Sequence, residues 1–286
     1  MDLALAVDIG GTKLAAGLVT GEGDVLASAT ASSRSTSSEG LFGVLMGLVE
    51  EVRGSVTIAV CGVGCGGPMS PGGETVSPLN IAAWRGFPLR SRVAEATGLA
   101  TFVDNDAKAL ALGEGWRGAA AGVADYLAMV VSTGVGGGIV LGGRLLNGAS
   151  GNAGHIGHVC VEPEGRRCAC GALGCLEAEA SGTAIAAATG RPAVEAGPDV
   201  VVRTGRLVGR AVASVANLLD LRLAVVAGSV ALGFGPPFFA AAQAELDAGA
   251  RLSFSAGARI EPAGLGGTDP PAGGAAAVGW RGVGRL

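Results

Sequence analysis

The sequence predicts an α/β protein of two related lobes with a cleft between them. Three observations carry this. Runs of strand length alternate with segments of helical spacing, the order expected when helices cover a sheet. A strand pair joined by a Gly-Thr or Thr-Gly turn occurs twice, near residues 8 and 132. Between the two copies, residues 113–123 are dominated by Gly and Ala, which suits a boundary. The expected lobes are residues 1–115 and 116–286, with an insert at 155–177 in the second and a terminal helix able to pack back on the first.

Leu3–Ile9 reads as a first strand ending in Gly10, Gly11, Thr12 and Lys13, and residues 14–19 resume the apolar run, so the pair is a hairpin. Residues 21–24 form a second turn, followed by a short strand and a polar stretch over 32–38. Leu41, Val44, Leu45, Leu48 and Val52 recur at helical spacing within 40–53. Residues 56–63 read as a buried strand running into a glycine loop, 90–97 as a helix, 100–103 as a strand and 107–113 as the start of another helix. The second series opens with a strand at 126–132, a glycine turn at 133–138 and a strand at 139–141. An amphipathic helix over 204–220 and a strand at Leu223–Ala227 follow, the latter ending in Gly228 and Ser229. The Gly-, Pro- and Ala-rich close from Gly264 reads as a loop and a short helix.

Apolar residues make up 49% of the 286, so core formation is not limiting, and 52 glycines point to backbone packed close on backbone. A net charge of -4 leaves no basic surplus to neutralise phosphates, which argues against nucleic acid or an anionic membrane as partner. The first apolar run is broken by Asp8 and has no basic leader, so it is not an export signal, and no membrane span is visible. The expected location is cytoplasmic.

The strongest local signal is His158 followed by Cys168, Cys170 and Cys175. Three of the six cysteines crowd into eight positions, which favours a metal over a disulfide framework. Structural zinc takes four thiolate and imidazole ligands in a closed tetrahedron, and Gly171 and Gly174 free the backbone to fold the third thiolate back. The bland alternative is a set of unlinked buried cysteines. With all four positions filled by protein, no site remains for an activated water, so the zinc organises the fold.

Asp8, Gly10, Gly11, Thr12 and Lys13 place a carboxylate, two glycines, a hydroxyl and an amine on one turn. Glycines let backbone N–H groups approach a phosphate, Thr12 adds a hydroxyl, and Asp8 suits a Mg2+ held through water. A tight hairpin with no ligand is the alternative. The turn beginning Ser132, Thr133, Gly134 and the pair Gly228 and Ser229 supply two more small-residue loops after strands, each suited to a nucleotide. Asp104, Asn105 and Asp106 follow a strand and open a helix. There an Asn orients a hydroxyl while an Asp accepts its proton, unless one of them merely caps the helix.

In order and spacing, residues 8–13, 104–107, 132–138, 154–158 and 168–177 resemble the ROK family of repressors, uncharacterised frames and sugar kinases, over residues 3 to about 232. The resemblance implies an actin-like (ribonuclease H-like) ATPase fold and transfer of the ATP γ-phosphoryl group to a sugar hydroxyl, normally the 6-hydroxyl. It implies Asp106 as catalytic base, and Asn105, Gly66, Gly67, Asn80, His155, His158 and Glu177 around the sugar. Asp8, Gly10, Gly11, Thr12, Lys13, Thr133, Gly134, Gly228 and Ser229 fall to ATP. His158 serves twice, as zinc ligand and as sugar contact through its other nitrogen. The implied ligands are ATP, Mg2+ and a structural Zn2+, and the implied assembly is a homodimer or homotetramer.

One departure bears on the substrate. His155 stands where the glucokinase branch of the family usually has Glu, and the resulting His-Ile-Gly-His form resembles bacterial N-acetylmannosamine kinases. A carboxylate accepts two hydroxyl protons, whereas a neutral imidazole accepts one and donates one, so the swap alters which epimer or 2-substituent is welcome unless His155 is a tolerated variant. The resemblance to the two branches implies glucose and N-acetylmannosamine as the first sugars. Trp84 and the residues after it look more like the glucokinase branch. A non-catalytic sugar sensor of the same fold is the alternative. A DNA-binding repressor is disfavoured, because no winged helix precedes Asp8.

Overall fold

β1 (Leu3–Ile9) carries no polar side chain before Asp8 and is buried at every other position, so it forms the middle of a sheet. It pairs antiparallel with β2 (Lys13–Thr20), and β2 with β3 (Val25–Ser32). On its other side it runs parallel to β4 (Val60–Cys65), and β4 to β5 (Thr101–Asn105), giving the order β3-β2-β1-β4-β5. The strand expected at 56–63 is therefore shifted: parallel pairing begins at Ala4 with Val60 and ends at Ile9 with Cys65, so β1 sets its limits, and Val56 is exposed. In α1 (Ser38–Arg53), Leu41, Leu45, Leu48 and Val52 are buried as expected, whereas Val44, at the edge of that stripe, is exposed. α2 (Leu89–Thr97) and α3 (Asp106–Arg117) complete this stretch. The structure is a computed structural model and describes residues 2–34, 37–265 and 270–286.

The second sheet repeats the plan. β6 (Tyr126–Val131) pairs antiparallel with β7 (Val135–Leu141), and β7 with β8 (Arg144–Leu145); β9 (Leu223–Ala227) and β10 (Arg259–Pro262) add in parallel on the other side. The order β8-β7-β6-β9-β10 is that of β3-β2-β1-β4-β5 with each strand replaced by its counterpart. Residues 136–138, expected in a turn, lie inside β7 opposite Val130, Met129 and Ala128. The helices here are α4 (Leu176–Ala180), α5 (Gly182–Thr189), α6 (Pro198–Leu219), α7 (Ser229–Phe234) and α8 (Pro236–Gly249). α6 begins six residues before the expected 204, because Pro198 at its first position suits a helix start. Leu127, Met129 and Val131 of the sheet share one core with Leu207, Val208, Phe238 and Leu246.

α9 (Pro270–Gly282) returns to the first sheet, where Ala275, Ala276 and Trp280 pack on Ala4, Ala6, Val19 and Val60. The expected closing loop lies, at residues 266–269, outside the described residues. Met1–Ala121, Asn147–Ala153 and Leu265–Leu286 form one unit, and Gly122–Leu146 with Gly154–Gly264 the other. Residues 116–121 and 147–153, read in the sequence with the second lobe, group with the first unit, as does α9, the terminal helix read as able to pack back there, whose alanine face meets that sheet. No helix among the described residues is long and apolar enough to cross a membrane.

Candidate active site and metal centre

In the first unit the predicted residues gather at the carboxyl ends of the parallel strands, the place where open α/β sheets bind ligands. Sheet register aligns Asp8, Gly64 and Asp104, and then Ile9, Cys65 and Asn105. Asn105 is the N-cap of α3: its Oδ1 accepts from the Ala107 N–H at 3.0 Å. Its Nδ2 faces Gly67, 3.4 Å from where a Cβ there would sit. Asp106 Oδ1 accepts from the same N–H at 2.8 Å, while Oδ2 lies 3.9 Å from the Cβ position of Gly66. Asn105 and Asp106 thus share the Ala107 N–H, so the helix cap and the expected proton acceptor are neighbouring residues. Burial pushes the Cys65 thiol pKa well up, and the charges of Asp106 and Asp8 push it the same way.

The first glycine turn is closed by Gly10 N–H donating to Lys13 O at 2.9 Å. A Cβ on Gly11 would stand 2.6 Å from the Asn80 Cβ, so this glycine is what lets the Asn80 turn lie against the first glycine turn. Arg85 fixes that turn, its Nη1 donating to the carbonyls of Pro78, Ile81 and Trp84. Trp84, fully buried, stacks on Phe87 at 4.4 Å. Gly11, Asn80, Ser33 and Arg34 line a cavity of about 590 Å³. Ser33 escaped the sequence reading; it is buried, its Oγ has no partner among the described residues, and its N–H donates to Thr12 O. Lys13 and Thr12 are exposed.

In the second unit, Ser132 Oγ and Ser229 Oγ are 2.9 Å apart, which brings together the two loops expected at the nucleotide. The Thr133 carbonyl accepts from Thr183 Oγ1 at 2.9 Å, and Gly182 N–H donates to Ser132 O at 2.7 Å, so the start of α5 braces the turn. Glu177 Oε2 accepts from Val135 N–H at 3.0 Å and lies 3.0 Å from the Cβ position of Gly134. His155 caps and His158 ends a single turn, Ile156–His158, with ring centroids 6.0 Å apart, and both are exposed. That turn lies directly on β7. A Cβ on Gly157 would collide with Val135 O, and one on Gly137 would meet the Ile156 side chain at 2.9 Å.

The ligand atoms of His158, Cys168, Cys170 and Cys175 all lie within 4.8 Å of one another. Cys168 Sγ is 3.7 Å from His158 Nδ1, and Cys170 Sγ is 3.7 Å from Cys175 Sγ. A zinc tetrahedron requires about 3.8 Å between two sulfurs and about 3.6 Å between sulfur and nitrogen, so the four residues fit one metal ion. Because Nδ1 faces the cysteines, Nε2 of His158 is left for another partner. The loop is built by Cys168 N–H donating to Ala172 O, Gly171 N–H to Cys168 O, and Leu176 N–H to Val159 O. The backbone of Ala172 and then Cys168 lower the Cys170 thiol pKa, while burial pushes Cys175 up to about 12, so loading a metal must release protons here. Cys61 and Cys65 are buried in β4, whereas Cys160 is exposed.

Glu179 is a further residue that motif reading passed over. It is buried on α4 and accepts from Arg166 N–H at 2.5 Å and from Arg203 Nη2 at 2.7 Å, tying the metal loop to α4 and α6. Burial alone would raise its pKa; the Arg166 N–H, the Arg203 hydrogen bond and the two guanidinium charges outweigh it and hold the carboxyl below its ordinary value.

The sequence profile of the ROK family matches residues 4–277. An N-acetylmannosamine kinase of Escherichia fergusonii is 37% identical over 250 residues, covering 81% of this chain and 84% of that protein. Among solved structures, a ROK family glucokinase from Streptomyces griseus, in complex with glucose and AMPPNP, aligns with a TM-score of 0.85 at 30% identity, covering 98% of this chain and 99% of that one. A ROK hexokinase from Thermus thermophilus aligns at 0.82 and 32%, with the same coverage. These neighbours have the actin-like ATPase fold, which the paired five-stranded sheets share. With its profile, its glycine turns and its three-cysteine loop all in place, the chain belongs to the ROK family.

Proposed function

We propose that this protein is an ATP-dependent sugar kinase that transfers the γ-phosphoryl group to the 6-hydroxyl of a hexose or N-acetylhexosamine. The observation that carries the reading is the Asn105 and Asp106 pair at the start of α3, with an amide nitrogen toward Gly67 and a carboxylate oxygen toward Gly66. Asp106 takes the proton of the sugar hydroxyl as its oxygen bonds to the γ-phosphorus. The bond from that phosphorus to the bridging oxygen breaks, and its electron pair leaves with ADP. Asn105, Gly66, Gly67 and Asn80 orient the sugar, with His155, His158 and Glu177. Gly10, Gly11, Thr12, Lys13, Thr133, Gly134, Gly228 and Ser229 receive the nucleotide, and Asp8 holds Mg2+ through water, which neutralises phosphate charge.

His158, Cys168, Cys170 and Cys175 hold one zinc, whose four protein ligands leave it a structural role. Its effect on the chemistry is indirect: the loop it closes carries His158 and leads through Cys175 into Glu177. The relative named an N-acetylmannosamine kinase and the glucokinase bound to glucose make those two sugars the first to test. His155 is the residue that separates them, since it offers one donor and one acceptor in place of a carboxylate.

The test is ADP release with glucose, N-acetylglucosamine, N-acetylmannosamine, mannose and fructose side by side. Stimulation by at least one hexose or N-acetylhexosamine, with phosphate found on its 6-oxygen, is expected. Stimulation by none would leave a sugar-binding sensor.

A further inference from the structure

Lys108, in the first turn of α3, is 3% exposed and its ammonium has an acceptor for each of its three protons. Asp104 Oδ1 lies at 2.9 Å, Asn147 Oδ1 at 2.9 Å and the Gly151 carbonyl at 3.0 Å. The same Asp104 oxygen accepts from Asn105 N–H at 2.9 Å, and the other Asp104 oxygen meets Arg281 of α9 at 3.4 Å. One buried cation therefore joins the peptide that presents Asn105 and Asp106 to the segment Asn147–Ala153.

Among the described residues, that segment has little else to hold it. Its side chains are Asn, Ser, Ala and nothing at all, so it has no apolar group larger than a methyl to bury. Its internal bonds among the described residues are Ala153 N–H to Asn147 O at 3.0 Å and Asn152 Nδ2 to Ser150 O at 3.1 Å and to Ser150 Oγ at 3.3 Å. It groups with the first unit although the chain on both sides belongs to the second, and Ala153 leads directly into Gly154 and His155.

A buried ion pair contributes little net stability, and an apolar side chain of similar volume often does as well or better. What an ammonium with three fixed acceptors supplies instead is one defined geometry. We infer that Lys108 is a positioning residue for sugar recognition, setting the conformation of residues 147–153 and hence the start of the Gly154–His158 segment; this rests on the kinase reading above. It touches no substrate itself. Its signature is a loss in sugar affinity with the nucleotide side unaffected, which loss of general stability does not produce.

The experiment compares wild type, Lys108→Met and Asn147→Ala by sugar KM, ATP KM, melting temperature and hydrogen exchange. Asn147→Ala leaves the ammonium paired with Asp104, so it serves where Lys108→Met does not fold. Sugar KM is expected to rise about tenfold in Lys108→Met and several-fold in Asn147→Ala, with ATP KM within about twofold of wild type. The double variant adds little to Lys108→Met alone, as expected of residues acting through one contact. Faster exchange at residues 148–153 accompanies both. Unchanged sugar KM with only a lowered melting temperature, or unchanged exchange at 148–153, overturns the inference. If the wild type phosphorylates no sugar, the kinase reading falls, and exchange at 148–153 still decides whether Lys108 fixes this segment.

Discussion

Glu177 Oε2 accepts a hydrogen bond from the backbone N–H of Val135 at 3.0 Å. The carboxylate two residues beyond the last cysteine of the metal loop is thereby fastened to the glycine turn that begins at Ser132. One oxygen is held by the fold, and the proposed kinase function assigns the other to a sugar hydroxyl. Glu177→Gln keeps an acceptor for Val135 but loses the charge. Its kcat/KM for sugar is expected to fall roughly 10- to 100-fold, the worth of one charge-assisted hydrogen bond, with little change in melting temperature. Steady-state kinetics at the wild-type value would remove Glu177 from the sugar site.

The metal loop predicts about one zinc per chain by elemental analysis. Chelation should lower the melting temperature by roughly 10 °C, as the loss of several kcal/mol does in a domain of this size, and activity should fall with it. Cys168→Ser should do the same without chelator. A metal-free preparation that keeps both fold and activity would contradict the structural role.

Glu179 gives the protein an acid-sensitive contact. Its folded pKa is depressed, so the unfolded chain binds the proton first as pH falls. The stabilisation is complete above the ordinary carboxylate range and is lost as pH drops through it toward the lower folded value. Urea midpoints measured at pH 7 and pH 4 should fall less steeply in Glu179→Gln than in wild type. Equal slopes would mean that the Arg166 and Arg203 contacts carry no net linkage.

His155→Glu should move the kcat/KM ratio of glucose to N-acetylmannosamine toward glucose by about tenfold, since one hydrogen bond gained on one sugar is lost on the other. An unchanged ratio would place specificity elsewhere.

Much of the candidate site stands out in the sequence because its residues lie close together along the chain. Asp8 to Lys13, Asn105 with Asp106, and the three cysteines each occupy a single turn, so residue type and spacing identify them together. The doubled strand-pair opening was likewise enough to expect two lobes, and the two sheets do have the same strand order. What stayed hidden depends on distant partners. Residues 136–138 read as a turn because glycine runs usually are turns. They are strand because they pair with Val130, Met129 and Ala128 of β6, and Gly137 lacks a side chain where Ile156 and Gly154 lie against it, which no local propensity reports. Lys108 looks like any surface lysine of a helix until Asn147 and Gly151 are seen on its ammonium. Glu179 is one more acidic residue until its two arginines are placed.

The central claim is that Asp106 takes the proton from the sugar hydroxyl, and Asp106→Asn tests it most directly. Asparagine preserves the size of the side chain and an oxygen for the Ala107 N–H, so sugar binding measured by calorimetry should stay within about threefold of wild type. Turnover measured as ADP release should fall by about 10²–10⁴, the contribution typical of a general base. Turnover above roughly a tenth of wild type, with the sugar still bound, would contradict the account and require a different base.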